Sequence, residues 1–142
     1  MKYNTSLFLT IYLSGLMAMA HIERILKKEE DLTVFNISGD LGFEEIINLI
    51  DFTYSFEITL NILMDLSSAD TKSLTSEQIE KIGNHSKKYS HLRIGGKTAY
   101  IAKKDIDYGL ARMYQIHTEL KGHEELHRVF RSLEEAMVWL NE

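Results

Sequence analysis

The pattern His-Glu-x-x-His, formed by His123, Glu124 and His127, is the feature that most directly suggests chemistry. In zinc peptidases this pattern lies on a helix, where histidines one turn apart bind the metal and the glutamate acts as general base. Here it begins one residue after Gly122, a residue typical of helix ends, and continues into an alternating stretch that predicts a strand. In an extended segment the two histidines would be about 13 Å apart, at roughly 3.3 Å per residue. We therefore expect no zinc ion shared by them and no peptidase activity.

The composition argues against several functional classes. The chain has 142 residues, which suits one domain, and a net charge of −5, which disfavours general nucleic-acid binding because phosphate neutralisation requires an excess of Lys and Arg. It contains no cysteine, so disulfides, thiolate catalysis and thiolate zinc sites are excluded. We find no spaced pair of carboxylates, no nucleophile–base spacing and no glycine-rich phosphate loop. We therefore expect no enzymatic activity, no cofactor and no nucleic-acid partner.

The stretch after the most apolar strand contains the best candidates for a functional surface. Residues 58–66 predict a central strand, and a loop rich in hydroxyl and carboxyl groups follows it and leads to a capped helix. In open α/β sheets, ligands bind beyond the carboxyl ends of the strands. Turn formation and helix capping use the same residue types, so that interpretation stays open. The candidates are Asp65, Ser67, Ser68, Asp70, Thr71, Lys72 and Ser73.

Arg112 is a further candidate, because a guanidinium can contact an anionic ligand. It lies beside the apolar stripe of a predicted helix that starts at Asp105. The alternative is a structural ion pair, since Asp105 and Asp107 are close to it in the chain.

The elements that must position these residues alternate along the chain. Strands are predicted at residues 21–27, 32–38, 58–66, 98–102 and 126–130, with a helix after each of the last four. A capping box at Thr75 and Gln78 and a second one at Ser132 and Glu135 mark two helix starts. The order ββαβαβαβα predicts an α/β fold with a mixed, mostly parallel five-stranded sheet and an initial antiparallel hairpin.

The first twenty residues predict a separate segment, and the domain is expected at residues 21–142. Residues 6–20 are apolar and end in Ala18-Met19-Ala20, as in a secretory signal peptide with an A-x-A cleavage site. A mis-called start, with Met17 or Met19 as the true one, and an N-terminal helix packed on a partner are the alternatives. The run is too short for stable membrane insertion. We expect a cytoplasmic protein, with export left open, that folds when it starts at Met19.

The element order and the layout strand-Asp-Leu-Ser-x-x-Asp-Thr-x-x-Leu-helix resemble the STAS domain of bacterial anti-sigma-factor antagonists. In that family an Asp-Ser-Ser-Gly-Leu stretch opens the same helix, and a partner kinase phosphorylates one serine. The stretch aligns with Asp70, Thr71, Lys72, Ser73 and Leu74. The phosphorylated serine thus falls on Lys72, which cannot accept phosphate, and the glycine falls on Ser73. The resemblance therefore implies such a switch only if Thr71 serves instead.

A second passage narrows the resemblance. Residues 97–117 contain Gly-Leu-Ala-Arg-Met, which is similar to a stretch of the SpoIIAA-like (STAS-like) bacterial proteins, a group of unsettled function. The resemblance covers about residues 21–142. It implies a non-enzymatic regulatory or ligand-sensing module that acts through protein–protein interaction at the candidate loop.

The alternative function is that of a carrier for a small apolar or lipid-like ligand, because the architecture is shared with lipid-transfer domains. A protein partner is expected under the first reading, and a homodimer is compatible with both. A closed apolar cavity between sheet and helices would favour the carrier. A flat or grooved surface at residues 67–75 would favour the interaction module.

Overall fold

Alternating apolar and capped helical stretches fold into an α/β protein with helices on both faces of one mixed sheet. The computed structural model describes residues 4–12 and 19–142, and these form six strands and four α-helices. In chain order they are β1 (Asn4–Tyr12), β2 (Met19–Lys27), β3 (Leu32–Asp40), α1 (Phe43–Ser55), β4 (Asn61–Asp70), α2 (Ser76–Ser86), β5 (Lys97–Ile101), α3 (Asp105–Leu120), β6 (Leu126–Phe130) and α4 (Leu133–Leu140). Short 3₁₀ helices at Lys28–Glu30 and Lys87–Arg93 follow β2 and α2.

The strands lie in the sheet in the order in which they occur in the chain. β1 pairs with β2, and β2 with β3, in antiparallel orientation, whereas β3 to β6 are parallel. Each parallel connection advances by one strand in the same direction, so right-handed crossovers place α1, α2 and α3 on the same face. The predicted α/β class with a mixed sheet and four helices is confirmed.

Side chains from the two faces of the sheet enter two separate cores. On β4, Ile62 and Leu66 pack with the α1 side, whereas Leu63 packs with Trp139 and Leu140 of α4 on the opposite face. This alternation explains why residues 58–66 are nearly all apolar, since a strand covered on both faces cannot alternate with polar residues. The parallel half of the sheet is therefore buried between α1–α3 and α4.

β1 is a sixth strand that the sequence did not predict. The stretch Asn4–Tyr12, expected to precede the domain, pairs along its whole length with Met19–Lys27. Met17 and Ala18, which belong to the expected alternative start and cleavage site, lie outside the described residues. In this structure β1 therefore extends the sheet beyond β2.

Candidate functional site

The polar stretch after residue 66 is mostly strand and not loop. β4 continues to Asp70, and it stays paired with β3 through Ser68 and Asp70 after its pairing with β5 has ended at Asp65. The expectation that the strand ends at residues 65–66 is wrong, because β3 offers backbone partners that the sequence pattern cannot reveal. Asp65 Oδ1 accepts a hydrogen bond from the Ser67 N–H at 2.9 Å. The connection to α2 is thus only residues 71–75, here called the 71–75 loop.

Thr71 is the buried polar residue of the 71–75 loop. Its side chain is 4% exposed, and its hydroxyl donates a hydrogen bond to Asp107 Oδ1. The Thr71 N–H donates to the same oxygen at 3.3 Å. Asp107 lies in the first turn of α3 and is itself only 3% exposed. Because Thr71 faces the interior, it is not presented to a kinase in this structure, in contrast to the exposed switch residue that the family resemblance implies.

Lys72 and Ser73 form the outer surface of the 71–75 loop, and both are exposed. Lys72 is held in place by Asp70, whose Oδ1 accepts from the Lys72 N–H at 3.0 Å and whose Oδ2 lies 3.2 Å from Lys72 Nζ. The backbone hydrogen bond from Lys72, followed by the contacts of its side chain, lowers the pKa of Asp70 below its ordinary value. The loop therefore presents a lysine and a serine to solvent from a fixed turn.

An apolar cavity lies directly beneath this loop, between the sheet and helices α1, α2 and α3. Its volume is about 90 Å³. Its walls are aliphatic and aromatic side chains from the sheet and all three helices, among them Ile37, Leu49, Met64, Ile79, Leu110 and Tyr114. Thr71 and Leu74 line it from the loop, and Asp107 is the carboxylate on its wall. The hydrogen bonds that described residues donate to Asp107 fall on Oδ1.

Arg112 does not approach the candidate loop. It lies on the exposed side of α3, whereas Asp107 of the same helix faces the cavity. The expected ion pair with Asp105 or Asp107 is not formed either, since Asp105 pairs with Arg131 at 2.9 Å and Asp107 bonds Thr71. Among the residues with described side chains, Arg112 has no ion-pair partner. The contacts in this structure thus assign Arg112 neither a ligand nor a partner.

The expected separation of His123 and His127 is wrong. Their ring centroids are 5.9 Å apart, with the rings nearly perpendicular. Helix α3 ends in a Schellman motif, in which Gly122 adopts φ +70° and the His123 N–H donates to the Thr118 carbonyl. The chain is also not extended between the histidines, because it bends at Glu124 and Glu125 before β6 begins at Leu126. Of the residues in the pattern, only Leu126 and His127 belong to a strand.

Glu125 and His127 are the centre of a buried chain of hydrogen bonds. The Tyr100 hydroxyl lies 2.9 Å from His127 Nδ1, His127 Nε2 lies 2.9 Å from Glu125 Oε1, and Ser90 Oγ donates to Glu125 Oε2 at 2.9 Å. The consistent assignment is that Tyr100 donates to a neutral His127, which donates in turn to an ionised Glu125. Both ring nitrogens of His127 and both carboxylate oxygens of Glu125 thus have hydrogen-bond partners in the interior.

The protonation states follow from burial and from these bonds. Burial lowers the pKa of His127, although Glu125 opposes this shift, so the imidazole stays neutral. Burial alone would raise the pKa of Glu125, but the hydrogen bonds from His127 and Ser90 bring it below its ordinary value. Burial also raises the pKa of Tyr100 well above its usual range, which keeps its proton available for donation.

Arg93 is a buried residue that the sequence analysis did not single out. It is 2% exposed, and its guanidinium donates to the carbonyls of Leu60 and Lys97 and to the hydroxyls of Thr98 and Tyr54. These bonds connect the 3₁₀ helix after α2 with the starts of β4 and β5. The apolar residues on either side of it, Leu92 and Ile94, are both exposed. This reversal is a property of the folded chain, and nothing in the local sequence signals that the arginine faces inward.

A second contact combines a buried hydroxyl with a half-buried imidazole. Ser86 Oγ lies 3.1 Å from His123 Nε2 and 2.7 Å from the Tyr114 hydroxyl, and it also donates to the Gly83 carbonyl at 3.2 Å. Burial lowers the pKa of His123. Ser86 is 6% exposed, so this pair belongs to the packing between α2, α3 and the His123 turn.

Residues 4–12 and 19–142 contain no group of three or more His, Cys, Asp or Glu side chains that could hold a metal ion. None of the helices described there is both long and apolar enough to cross a membrane. No protein-family model matches this chain, and no curated protein matches it significantly.

Proposed function

We propose that this protein is a non-enzymatic, STAS-like ligand-sensing module. It binds a small, mainly apolar molecule in the cavity between the sheet and α1–α3. Binding changes the conformation of the 71–75 loop, and a partner protein recognises this change. The observation that carries the proposal is the two-sided character of that loop. Thr71 and Leu74 line the cavity, whereas Lys72 and Ser73 are exposed to solvent. A molecule that moves the inner residues must therefore move the outer ones.

The dimensions of the cavity restrict the ligand to a few heavy atoms. Its volume of about 90 Å³ is below the roughly 150 Å³ of an engineered cavity that binds benzene, and well below the roughly 300–1,000 Å³ of drug-sized pockets. This size favours a short aliphatic molecule over the lipid of the carrier alternative. The walls supply burial of apolar surface, which stabilises by about 25 cal/mol per Å².

Asp107 adds a polar requirement at one position of the cavity wall. Because Thr71 donates both of its hydrogen bonds to Oδ1, Oδ2 is the oxygen from which a ligand donor would gain a new bond. A buried carboxylate gains most from a partner that donates to it. The ligand class is therefore a short alcohol or amine with its hydroxyl or ammonium group at Asp107 and its alkyl part among the aliphatic walls.

The contacts around Ser86 support a non-enzymatic role. Among the described residues, Ser86 and His123 form a serine–histidine contact that resembles a nucleophile–base pair, but the Ser86 hydroxyl donates to a carbonyl of its own helix. A nucleophile needs an accessible oxygen and a base oriented by a third group. Ser86 is buried, and His123 Nδ1 is a buried atom without a hydrogen-bond partner among the described residues.

Binding is tested by methyl NMR spectroscopy of the full chain titrated with butan-1-ol and with butan-1-amine. We expect shifts at the methyl groups of Leu74, Ile79 and Leu110 and none at Val138, which is exposed on α4. Ala111→Leu should fill the cavity and abolish these shifts, whereas the control Val138→Ile should preserve them. Saturable shifts that persist in Ala111→Leu would contradict binding in this cavity.

Signalling is tested by amide hydrogen exchange with and without the same alcohol. If ligand binding in the cavity alters the 71–75 loop, the exchange rates of the amides at residues 71–75 should change in the wild type and stay constant in Ala111→Leu. A second variant, Lys72→Glu, should bind butan-1-ol normally and lose the partner protein that the wild type retains. Binding of the alcohol without any change in loop exchange would favour a simple carrier over a sensing module.

A further inference from the structure

Helix α3 has an apolar stripe on the side that faces away from the protein interior. The stripe residues recur at alternating spacings of three and four, which is the spacing of a coiled-coil seam. They are Ile106, Gly109, Met113, Ile116 and Leu120; Met113 is half-buried and also packs against the apolar cluster of α1 and α2, so it lies at the edge of the stripe. Ile106, Ile116 and Leu120 are 52%, 45% and 77% exposed. The fully buried residues of the same helix are Asp107, Gln115 and Thr118, and half-buried Leu110, Ala111 and Tyr114 line the cavity, so α3 carries apolar side chains on its inner and its outer side.

Gly109 lies toward the N-terminal end of this exposed face and makes close approach by another backbone feasible. It is exposed, and a Cβ added to it would meet no atom within 4 Å. Glycine costs about 1 kcal/mol relative to alanine inside a helix. No packing within the described part of the chain requires glycine here. Close approach by the backbone of a second chain at Gly109 would account for it.

Two opposite charges lie along one side of the stripe. Arg112 and Glu119 are both exposed and are separated by seven residues, which is about 10.5 Å along a helix. When two copies of one helix pair in antiparallel orientation, positions on the same side of the stripe face each other across the twofold axis. Arg112 of one copy then lies opposite Glu119 of the second copy, and the reverse pair forms as well. The surface is thus complementary to itself.

We propose that two copies of this chain associate through α3 in antiparallel orientation, with Ile116 near the twofold axis and two Arg112–Glu119 ion pairs beside the seam. This inference is independent of the proposed ligand. It does place the contact on the outer side of the helix whose inner side carries Asp107 and Ala111 of the cavity. A homodimer therefore shares α3 with the cavity without covering it.

Sedimentation equilibrium of the full chain provides the first test. We expect a concentration-dependent dimer, and Ile116→Lys should raise its Kd by about tenfold or more. Arg112→Glu and Glu119→Arg should each weaken the dimer, and the double variant should restore it. Glu44→Lys, an exposed change on α1, is the control and should leave the Kd unchanged. A wild type that stays monomeric at all concentrations, or a double variant weaker than both single variants, would overturn the proposal.

Oxidative cross-linking provides the test of orientation, because the natural chain has no cysteine. Ile116→Cys should form a disulfide-linked dimer, since position 116 lies close to itself across the antiparallel axis. Ile106→Cys should not, since the two copies of position 106 lie at opposite ends of the seam. Parallel pairing would cross-link both variants equally, and that outcome would exclude the antiparallel arrangement.

Discussion

His127 Nε2 lies 2.9 Å from Glu125 Oε1, so a histidine of the His-Glu-x-x-His pattern is bonded to a residue at one of its variable positions. His127 is 8% exposed and Glu125 is 3% exposed. Tyr100 and Ser90 occupy the remaining polar atoms of the pair on either side. The pattern therefore builds an internal hydrogen-bond chain that connects β5 and β6 with the 3₁₀ helix after α2.

Stability should fall as the pH decreases below about 6.5. Burial holds the pKa of His127 below its ordinary value, so the unfolded state binds a proton at a pH where the folded state does not. Unfolding is then favoured progressively from about pH 6.5 down to the lower pKa of the folded state, with a slope of up to about 1.4 kcal/mol per pH unit for one histidine. Glu125, whose pKa is also lowered, adds a loss below about pH 4.5.

The measurement is chemical denaturation between pH 7 and pH 5. His127→Gln should be less stable at pH 7 and should have a shallower pH slope than the wild type. His91→Gln changes an exposed histidine and should keep the wild-type slope. Identical slopes for the wild type and His127→Gln would refute the assignment of a neutral buried imidazole.

Zinc should not bind stoichiometrically at His123 and His127, even though their rings are close. Both ring nitrogens of His127 are already engaged, one by Tyr100 and the other by Glu125. A metal would have to displace one of these buried partners, and the freed group would lose its hydrogen bond at a cost of about 1–3 kcal/mol. Elemental analysis of protein dialysed against zinc should show far less than one ion per chain. Stoichiometric zinc that disappears in His127→Ala would contradict this prediction.

Thr71 and Lys72 should respond differently to substitution, although they are adjacent. Thr71→Val removes the hydroxyl that donates to the buried Asp107 and should cost about 1–3 kcal/mol of unfolding free energy. Thr71→Glu should cost more, because it places a second carboxylate beside Asp107. Lys72→Glu, at an exposed position, should change stability by no more than about 0.5 kcal/mol. Denaturant midpoints measure all three, and equal effects at both positions would show that Thr71 is not buried in solution.

Removal of residues 1–18 should destabilise the protein and promote association. A chain that starts at Met19 lacks β1 and leaves the whole length of β2 as an open sheet edge. Ala20, Ile22 and Leu26 of β2 are buried, with exposures of 0%, 1% and 3%. We expect a lower Tm and higher-order species in sedimentation velocity that the full chain does not form. A shortened protein with an unchanged Tm would mean that β1 contributes nothing to the fold, as the sequence alone led us to expect.

Local signals identified most of the elements because the forces behind them act over a few residues. The Thr75–Gln78 capping box is present at the start of α2, and Gly122 ends α3 in a left-handed conformation. β6 occupies the predicted residues Leu126–Phe130. Each of these depends on hydrogen bonds or backbone preferences between near neighbours in the chain, which the sequence displays directly.

Burial and proximity of the polar residues were decided by the tertiary structure. Thr71 and Asp107 are joined by a bond between residues 36 positions apart, and Ser90 and Glu125 by one between residues 35 apart. Within the first turn of α3, apolar Ile106 is exposed whereas its charged neighbour Asp107 is buried. The local sequence could not show which of the two is buried, because Asp107 needs a donor from a distant loop to offset the cost of its burial.

The sequence by itself thus determined the α/β class, most of the strands and helices and the absence of thiol chemistry. The tertiary structure decided which polar residues form the interior, where the cavity lies and which side of α3 stays exposed. The physical reason is that secondary structure follows from backbone geometry and nearby capping groups. The free energy of a buried carboxylate, imidazole or hydroxyl depends instead on partners that only the folded chain brings within hydrogen-bonding distance.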